Sequence, residues 1–356
     1  MKKQKAAIVG TGLIAMSHAR ALRDNGIQIA VCVSRTQEGA KKFADAWGIP
    51  TYGTELSLAF DPSIDCVHVC TPPALHYEMV KALLEQGKNV LCEKPLCCKT
   101  QQAQELTQLA REKGLTCAVD FNARCHPACQ AARQAVAEGD FGPVRMIHGN
   151  YLQEFGALPA FGDWRYNPAL AGELHAVTEI GSHWLDLSRF ISGKEILAVS
   201  AQFDKFHQTR YAEGGLLYGE PGEGRQQVKV ESEDAAIISL RYSDGAIGVV
   251  TLSELSQGRL NHLSIEVTGE KENLWWNSED STRLYQARKG QGVTTRIFAF
   301  DTGFAGTFQA LSQAVYQEIA GQSKGGYPTF ADGAEVVKIC DAILRSARSD
   351  AAWVEV

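Results

Sequence analysis

The sequence predicts an α/β domain built on a parallel sheet, followed by an α+β domain with a large, open and mainly antiparallel sheet. In the first third of the chain, short apolar runs alternate with segments of helical periodicity, which is typical of parallel βαβ units. In the last third, residues 234–242, 247–255 and 263–269 read as strands with turn residues between them. The length of 356 residues suits two domains of about 100–200 residues each.

No flexible linker marks the boundary between the two predicted domains. We place it where the first series of strands and helices ends, so that residues 1–122 form the first domain and residues 123–356 the second. The last long helix is predicted over 334–346, with Thr329 or Asp332 as its N-terminal cap. This helix is a candidate to pack back on the first domain.

The composition is that of an ordinary globular protein. Hydrophobic residues make up 45% and charged residues 21% of the chain. The net charge of -6 argues against nucleic acid as the main partner. The sequence has no apolar run of about 18–20 residues that could span a membrane. The basic N-terminal residues precede an apolar run too short for a signal peptide, and we therefore expect a cytoplasmic location.

The ten cysteines do not form a metal-binding pattern. Several lie inside apolar, strand-like runs, where a free thiol behaves as a small hydrophobic group in a reducing compartment. Cys125, His126 and Cys129 are a partial ligand set, but no second pair lies at the spacing of a zinc finger or ribbon. We therefore expect no bound metal.

A glycine-rich turn follows the first strand, at 5–9, and precedes a helix. Residues 10–15 read Gly-Thr-Gly-Leu-Ile-Ala, and strand, turn and helix in this order are the context of a dinucleotide-binding fingerprint. Gly10 permits the tight turn, Gly12 lets the backbone approach a pyrophosphate, and Ala15 replaces the third glycine. A plain glycine-rich turn is the alternative. We assign His18 to the surface or the packing of the helix.

The second strand, at 27–33, ends without an acidic residue. A site that prefers NAD usually carries Asp or Glu here to bind the ribose 2′-hydroxyl. This chain instead has Ser34, Arg35 and Thr36, which offer two hydroxyls and a guanidinium suited to a phosphate. The segment predicts a preference for NADP over NAD. In the alternative interpretation, Arg35 is an ordinary surface residue.

Two further strand ends carry candidate site residues. The strand at 64–70 is followed by Thr-Pro-Pro, a stiff segment against which a planar ring can lie, and His76 begins the next helix. The strand at 88–92 ends in Glu93, Lys94 and Pro95, at the carboxyl edge where open α/β sheets bind ligands. A Glu–Lys pair on a solvated turn is the alternative for the second segment.

A helical segment at 178–187 carries an acid and an imidazole. Glu179, His183 and Asp186 follow one another at i, i+4 and i+7 and share a face. Such a face is costly to bury unless its groups find partners or a ligand. A capped helix start is the alternative, and we assign Asp186 to a structural role. The loop at 154–171 is rich in aromatic residues and contains Trp164 and Arg165, for which a structural role is equally open.

These motifs resemble, in order, those of the glucose–fructose oxidoreductase / inositol dehydrogenase / MocA family, over nearly the whole chain. The resemblance implies a Rossmann domain, a cis bond between Lys94 and Pro95, and Lys94 beside the nicotinamide and the substrate hydroxyl. It also implies that Glu93 holds the cofactor ribose. Glu179 stands where the family has Asp, which leaves its role open, whereas His183 matches.

The resemblance also places residues 122, 124, 164 and 165 near the cofactor or substrate. The residues predicted to bind the cofactor are Gly10, Thr11, Gly12, Leu13, Ile14, Ser34, Arg35, Thr36, Cys70, Thr71, Pro72, Pro73, His76, Glu93, Lys94, Asn122, Trp164 and Arg165. The residues predicted to be catalytic are Lys94, His183 and Glu179.

The predicted reaction is hydride transfer between NADP, preferred, or NAD and a secondary alcohol of a sugar, inositol or related polyol. It needs a base for the hydroxyl proton and positive charge beside the oxygen. We assign the proton to His183, the orientation of the hydroxyl to Lys94 and the tuning of either group to Glu179. We expect Lys94 and His183 to meet across a cleft, and a homodimer or homotetramer to form through the C-terminal sheet. A lyase or hydrolase that forms a keto-sugar with retained NAD(P), and a non-catalytic NAD(P)-binding regulator, are the alternatives.

Overall fold

The computed structural model describes residues 3–138, 140–161, 163–301, 303–323 and 325–356. The chain divides into two compact units. The first consists of Met1–Cys125 and Phe304–Val337, and the second of His126–Gly303 and Lys338–Val356. The segment Phe304–Val337 therefore returns to the first unit. The predicted division into domains at 122/123 stays a prediction.

The strands and helices alternate in the first unit, and strands dominate the second. The strands are β1 Lys5–Val9, β2 Gln28–Val33, β3 Thr51–Gly53, β4 Cys66–Val69, β5 Asn89–Cys92, β6 Cys117–Val119, β7 Val144–Leu152, β8 Ala160–Phe161, β9 Ile196–Asp204, β10 Thr209–Glu213, β11 Leu216–Tyr218, β12 Gln226–Lys229, β13 Ala235–Tyr242, β14 Ile247–Ser253, β15 His262–Gly269, β16 Glu272–Asn277, β17 Arg283–Arg288, β18 Gly292–Ile297 and β19 Val354–Glu355. The helices are α1 Leu13–Asp24, α2 Gln37–Trp47, α3 His76–Glu85, α4 Thr100–Glu112, α5 Pro127–Ala137, α6 Pro168–Ala171, α7 Ser182–Ser192, α8 Ala305–Ile319 and α9 Phe330–Ala347.

The sheet of the first unit is fully parallel. Its six strands lie in the order β3-β2-β1-β4-β5-β6. The order reverses between β2 and β4, on either side of β1, and this is the switch point where ligands bind in such sheets. All of β4 and most of β5 are buried, which explains their continuous apolar sequences. The predicted parallel α/β fold is confirmed.

Helix α8 supplies apolar side chains to the core of the first unit. Leu311, Val315 and Tyr316 pack in one cluster with Ala6, Ile8 and neighbouring side chains of the sheet and α1. Helix α9 begins at Phe330, four residues earlier than predicted. Its start is fixed because the N–H of Thr329 donates to Asp332 Oδ2 at 2.8 Å and the N–H of Asp332 donates to Thr329 Oγ1 at 3.3 Å. This reciprocal pair is a capping box.

The second unit contains a nine-stranded sheet in the order β18-β17-β16-β15-β7-β14-β13-β9-β19. Its neighbouring strands are antiparallel except for the parallel pair β7 and β14. The predicted large, mainly antiparallel sheet is confirmed. Across the described part of the chain, no helix combines the length and the apolar character needed to cross a membrane.

A smaller antiparallel sheet, β12-β10-β11-β8, also belongs to the second unit. This sheet is not among the predicted elements. Gly214 and Gly215, at φ of +60° and +81°, join β10 to β11 as a two-residue turn. Two consecutive positive φ angles are typical of a tight hairpin, and this Gly-Gly pair is the sequence signal for it.

Candidate active site

The turn between β1 and α1 leaves room for a ligand at the start of the helix. Gly10 has a φ of +92°, and a Cβ there would lie 2.6 Å from the carbonyl oxygen of Cys70. Only glycine fits, because this contact is with rigid backbone. Gly12 caps α1, and a Cβ on it would have no atom within 4 Å. The N–H groups of the first turn are therefore open to an anion such as a pyrophosphate. Leu13 is exposed beside them, and Ile14 packs partly against the core.

Hydroxyl groups surround the start of α2. Thr11 Oγ1 lies 2.7 Å from Ser34 Oγ, and Thr36 caps α2 by accepting the N–H of Gly39 at 3.1 Å. A Cβ on Gly39 would lie 3.0 Å from the hydroxyl oxygens of both Ser34 and Thr36. Arg35 is exposed between them in the sequence. The three hydroxyls, the guanidinium and the helix start form a cradle with the chemistry that binds phosphate.

The segment after β4 is tied to the turn after β5 by a buried imidazole. Cys70 is buried, and Pro73–Leu75 form a 3₁₀ turn before α3. His76 is 0% exposed, its Nδ1 lies 2.9 Å from the carbonyl oxygen of Pro95, and its Nε2 lies 2.7 Å from that of Thr71. The backbone thus engages both ring nitrogens. His76 therefore positions the two segments that flank the predicted nicotinamide site.

Glu93, Lys94 and Pro95 follow β5 at the carboxyl edge of the parallel sheet. Glu93 and Pro95 are buried, whereas Lys94 is half-buried. The Lys94–Pro95 peptide bond is cis, which confirms the expectation from the resemblance. Glu93 Oε2 accepts the backbone N–H of Lys94 at 3.2 Å. The backbone of Lys94 is therefore anchored on a buried carboxylate.

The turn after β6 is fixed by α8 and α9. The side-chain amide of Asn122, 4% exposed, donates to Thr307 Oγ1 at 2.9 Å. Arg124 Nη2 donates to Asp332 Oδ1 at 2.9 Å. Burial opposes the ionisation of Asp332, but Arg124 and Thr329 hold the pKa of this carboxyl below its usual value. These bonds explain why Asn122 and Arg124 are held rigidly in the first unit.

In the second unit, Trp164 and Arg165 lie in a 3₁₀ turn, Asp163–Tyr166. The guanidinium carbon of Arg165 stands 4.6 Å from the centre of the Trp164 ring. Arg165 Nε donates to Glu179 Oε2 at 3.3 Å. The structure thus brings together two predicted site residues that are distant in the sequence. The side chain of Glu179 is 19% exposed, so a small ligand can still reach its carboxylate.

A π-helical turn, Val177–Gly181, carries Glu179 and precedes α7. The residue spacing predicts a regular α-helix here, which the π-turn corrects, and π-turns are frequent at functional sites. His183 is half-buried in the first turn of α7, with its ring centre 6.3 Å from that of Tyr151. Asp186 is 1% exposed. The π-turn changes the spacing between Glu179 and the α-helical residues that follow it.

A buried carboxylate holds the start of the π-helical turn, and sequence inspection missed it. Glu233 Oε1 accepts the backbone N–H groups of His175 and Val177, each at 2.9 Å. Burial raises the pKa of Glu233 to about 7, although these N–H groups act in the opposite direction. The run 231–234 reads Glu-Ser-Glu-Asp, and nothing local distinguishes the buried acid from its solvated neighbour.

An ion pair between Arg210 and Asp234 lies in the interior of the second unit, with both side chains 0% exposed. Arg210 Nη2 donates to Asp234 Oδ1 at 2.9 Å and Nη1 to the carbonyl oxygen of Gly156 at 2.8 Å. The Tyr166 hydroxyl donates to Asp234 Oδ1 at 3.2 Å, and the guanidinium stacks 4.4 Å from the Tyr166 ring. Through Tyr166, the pair braces the turn that carries Trp164 and Arg165. No sequence motif marks either charged residue.

His18 was assigned to the surface or packing of α1, and the structure places it against two carboxylates. Its Nε2 lies 3.0 Å from Glu93 Oε1 and 3.3 Å from Asp120 Oδ2, and all three side chains are buried. Among the described residues, these three form the one group whose ligand atoms lie close enough together to hold a metal ion. The sequence offered no signal for it, because the three residues come from separate elements.

The predicted site residues divide between the two units. The first unit carries Gly10, Thr11, Gly12, Leu13, Ile14, Ser34, Arg35, Thr36, Cys70, Thr71, Pro72, Pro73, His76, Glu93, Lys94 and Asn122. The second unit carries Trp164, Arg165, Glu179 and His183. Because Lys94 and His183 belong to different units, the predicted convergence of their side chains stays a prediction.

Family models match both units. A model described as "Oxidoreductase family, NAD-binding Rossmann fold" matches residues 4–121, and one described as "GFO/IDH/MocA C-terminal domain" matches residues 129–275. Together they span the glycine turn, the Lys94 motif and the segment with Glu179 and His183. The similarity therefore includes every predicted catalytic residue.

Individual relatives are similar over most of the chain. Levoglucosan dehydrogenase from Pseudarthrobacter phenanthrenivorans is 30% identical over 326 residues, which cover 84% of this chain and 82% of that protein. D-xylose 1-dehydrogenase (NADP(+)) 2 from Haloferax volcanii is 31% identical over 244 residues, 67% of this chain and 74% of that protein. A solved structure of levoglucosan dehydrogenase with NADH and L-sorbose has a TM-score of 0.89 at 25% identity, covering 100% of this chain and 99% of that one.

Proposed function

Because the chain belongs to the GFO/IDH/MocA family of NAD(P)-dependent oxidoreductases, we propose that it transfers a hydride between nicotinamide and a secondary alcohol or ketone of a sugar, inositol or related polyol. The observation that carries the proposal is the Glu93-Lys94-Pro95 turn, which anchors a lysine at the carboxyl edge of a dinucleotide-binding sheet. The substrate class is supported by relatives named for levoglucosan and D-xylose.

In this proposal the nicotinamide supplies the hydride acceptor or donor, and the protein supplies position, charge and a proton carrier. Lys94 orients the substrate hydroxyl and stabilises the negative charge that grows on its oxygen. His183 takes the hydroxyl proton during oxidation and returns it during reduction. Glu179, held by Arg165 at 3.3 Å, adjusts the charge around His183. A secondary alcohol in a ring of hydroxyls suits such a polar set of side chains.

Replacement of Lys94 by alanine tests the assignment. We expect Lys94→Ala to lower turnover by roughly 10²–10⁴-fold, the usual scale for a general acid–base or charge-stabilising group. Binding of the nucleotide, followed by fluorescence titration, should be kept, because the pyrophosphate is bound at the β1–α1 turn. Lys99→Ala, at an exposed lysine nearby in the sequence, is the matched control. Near-normal turnover of Lys94→Ala would contradict the proposed site.

A substrate screen separates this function from its alternatives. Sugars, inositols and keto-sugars are offered with NADP(H) and NAD(H), and both nicotinamide reduction and product are followed. Net change in the nicotinamide with stoichiometric product supports the dehydrogenase. Cleavage of the substrate without net nicotinamide change would instead indicate a lyase or hydrolase. Nucleotide binding without turnover of any of these substrates would indicate a non-catalytic regulator.

We also propose that NADP(H) is preferred over NAD(H). The cradle formed by Thr11, Ser34, Arg35 and Thr36 supports this, as does the absence of an acid at the end of β2. A relative named as NADP-dependent is consistent with the proposal, whereas another relative binds NADH in its solved structure. The 2′-phosphate would accept hydrogen bonds from the hydroxyls and from the guanidinium.

The role of Arg35 can be measured directly. Removal of a charge-assisted hydrogen bond costs about 1.5–3 kcal/mol, so we expect Arg35→Ala to weaken NADPH binding by about tenfold or more. The affinity for NADH should change little. Arg20→Ala, at an exposed arginine on α1, serves as the control. Equal or tighter binding of NADH by the unaltered protein would end the proposal.

We further propose a homodimer or homotetramer that forms through the open face of the nine-stranded sheet. Ile237 on β13 and Ile247 on β14 are 53% and 57% exposed. Exposed branched apolar residues on adjacent strands are the composition expected of a sheet face that binds a second copy.

A further inference from the structure

The buried group around His18 joins α1 to the ends of two central strands. Glu93 and Asp120 follow β5 and β6, and both carboxylates face His18 Nε2, at 3.0 and 3.3 Å. Both oxygens of Asp120 are buried, and the groups that favour its charged form are His18, the backbone N–H of Asn122 and Lys94. Two carboxyl groups buried side by side can both ionise only beside a positive counter-charge. His18 is the ring that both of them face.

The contact at the other ring nitrogen of His18 limits how its protons can be arranged. His18 Nδ1 lies 2.8 Å from Nδ1 of His68 on β4, and His68 Nε2 lies 3.3 Å from the hydroxyl oxygen of Tyr316. A contact between two ring nitrogens holds one hydrogen, so one ring donates and the other accepts. If His18 is protonated at both nitrogens, it donates to the carboxylates and to His68, and His68 Nε2–H donates to Tyr316. Each group in the chain then has a partner.

The surroundings of the two rings favour this arrangement. Burial disfavours the charged form of His18, but Cys70, Glu93 and Asp120 outweigh it and raise the pKa of His18 well above its usual value. Burial and the nearby charge of His18 lower the pKa of His68 well below its usual value. His68 is thus the neutral, accepting partner.

The neighbour of His18 on α8 is an aromatic ring, which carries no charge. On α8, the Phe308 ring packs edge-on at 5.4 Å from the His18 ring. Burial and the charge of Glu93 raise the pKa of Asp120 to about 8, while His18 and Lys94 act in the opposite direction. Near neutral pH Asp120 therefore holds a proton for most of the time, and His18 and Lys94 are the groups that favour its ionisation.

Glu93 links this group to the proposed catalytic lysine. Its Oε1 faces His18, and its Oε2 accepts the backbone N–H of Lys94 at 3.2 Å. We propose that His18 is a positioning residue of the hydride-transfer site, a buried imidazolium that fixes Glu93 and Asp120 and through Glu93 the turn that carries Lys94. This inference rests on the proposed role of Lys94. His18 itself takes no part in the proposed hydride or proton transfer.

Replacement of His18 by glutamine removes the charge and keeps a polar side chain. We expect turnover to fall by about 10²-fold, because small displacements of a catalytic group are that costly. KM for the sugar and the affinity for the nucleotide should change much less. Without the imidazolium, the pKa values of the carboxylate pair rise, and the kcat–pH profile should move to higher pH by about one unit or more. His207→Gln, at a half-buried loop histidine of the second unit, is the control.

A second variant shows whether His18→Gln loses turnover through the loss of charge balance or through the loss of packing. Turnover of His18→Gln/Asp120→Asn is compared with that of His18→Gln above about pH 8, where Asp120 of the unaltered protein is ionised and the double variant has lost one positive and one negative charge. We expect turnover at least about tenfold above that of His18→Gln, since an uncompensated buried charge is the main cost. A double variant as slow as or slower than the single one would overturn the proposal.

The protonation state is also read in the unaltered protein, which keeps the test valid if His18→Gln does not fold. Histidine-selective NMR near neutral pH should show His18 protonated at both nitrogens and His68 protonated at Nε2 only. A neutral His18 would overturn the inference. A stoichiometric metal that is retained on purification and lost in His18→Gln would overturn it too, because the three ligand atoms would then surround a cation.

The active-site role of Lys94 and the positioning role of His18 are tested separately. If Lys94→Ala keeps its turnover, the proposed active site is wrong whatever His18 does. If Lys94→Ala is slow but His18→Gln keeps the kcat and the pH profile of the unaltered protein, only the positioning role is wrong.

Discussion

Two glycines of the β1–α1 turn have different physical reasons to be glycine. Gly10 combines a φ of +92° with a backbone oxygen 2.6 Å from a built Cβ, so its constraint is internal to the fold. Gly12 has ordinary φ and ψ angles and open space around a built Cβ. The fold itself therefore does not require glycine at position 12, and we propose that the nucleotide does, which makes the pair a direct test of the nucleotide site.

We expect Gly10→Ala to destabilise the first unit by at least about 2 kcal/mol, from backbone strain and overpacking. Gly12→Ala should leave the melting temperature of the apo protein nearly unchanged, yet weaken nucleotide binding by about tenfold or more, because its methyl meets the pyrophosphate. Calorimetry measures the first effect and fluorescence titration the second. Unchanged nucleotide affinity of Gly12→Ala would place the nucleotide elsewhere.

For single residues, the sequence allows a prediction where the residue's structural role depends on its neighbours along the chain. Gly10, Lys94 and Pro95 were predicted because neighbouring residues define a strand end or a turn. His18 was misjudged because its partners His68 and Glu93 lie 50 and 75 positions away along the chain. Sequence spacing carries no information about such pairs, which exist only once the sheet has formed.

Among the elements, the π-helical turn depends on a carboxylate from a distant part of the chain. Glu233 has a pKa of about 7 in the folded protein, against 4.5 for an ordinary glutamate. Between these values the folded state holds a proton that the unfolded chain has released. The contribution of Glu233 to stability therefore falls as the pH rises through this range.

Replacement of Glu233 by glutamine should remove this pH dependence. Glutamine keeps an oxygen that can accept the N–H groups of His175 and Val177, but it does not titrate. We expect the stability of Glu233→Gln relative to the unaltered protein to increase between about pH 5 and pH 8, by up to about 3 kcal/mol. Thermal unfolding monitored across this pH range measures the difference.

Glu231→Gln is the matched control, two positions away. Glu231 is an exposed acid paired with Lys229, whose hydrogen bond lowers the pKa of Glu231. Its titration falls below the tested range, so its stability curve should run parallel to that of the unaltered protein. If Glu233→Gln also gave a parallel curve, the buried carboxylate would be ionised throughout and the assigned pKa shift would be wrong.

The types and ends of most elements could be predicted because they follow from periodicity and from turn residues. The small sheet could have been found from Gly214 and Gly215, a signal that was present and overlooked. The π-turn could not, because the backbone N–H groups at its start donate to Glu233, which is distant in the sequence, and a regular α-helix satisfies the same local sequence.

For the whole molecule, sequence patterns gave the fold class but not the path of the chain between the units. The first unit gains Phe304–Val337, whose side chains Leu311 and Val315 complete its core. The amphipathic pattern of α8 indicates only that one face is buried. The unit against which that face packs depends on long-range contacts, which a local sequence pattern does not identify.

The open face of the nine-stranded sheet is the surface through which we predict oligomerisation. Ile237 and Ile247 are more than half exposed on adjacent antiparallel strands, and burial of the exposed half of each would contribute about 0.8–1.5 kcal/mol. We expect the unaltered protein to be a dimer or tetramer. The double variant Ile237→Asp/Ile247→Asp should shift toward the monomer, because an interface that buries unpaired carboxylates is strongly destabilised. Light scattering after gel filtration, at several concentrations, measures the mass.

The control for this experiment is another exposed aliphatic residue outside the sheet. Leu260 is 72% exposed in the connection before β15, and Leu260→Asp should leave the assembly as it is. Dissociation by both variants would indicate a general loss of solubility or fold instead of a specific face. A monomeric unaltered protein, or a double variant that keeps the full mass, would show that this sheet face is solvated and that Ile237 and Ile247 are merely tolerated there.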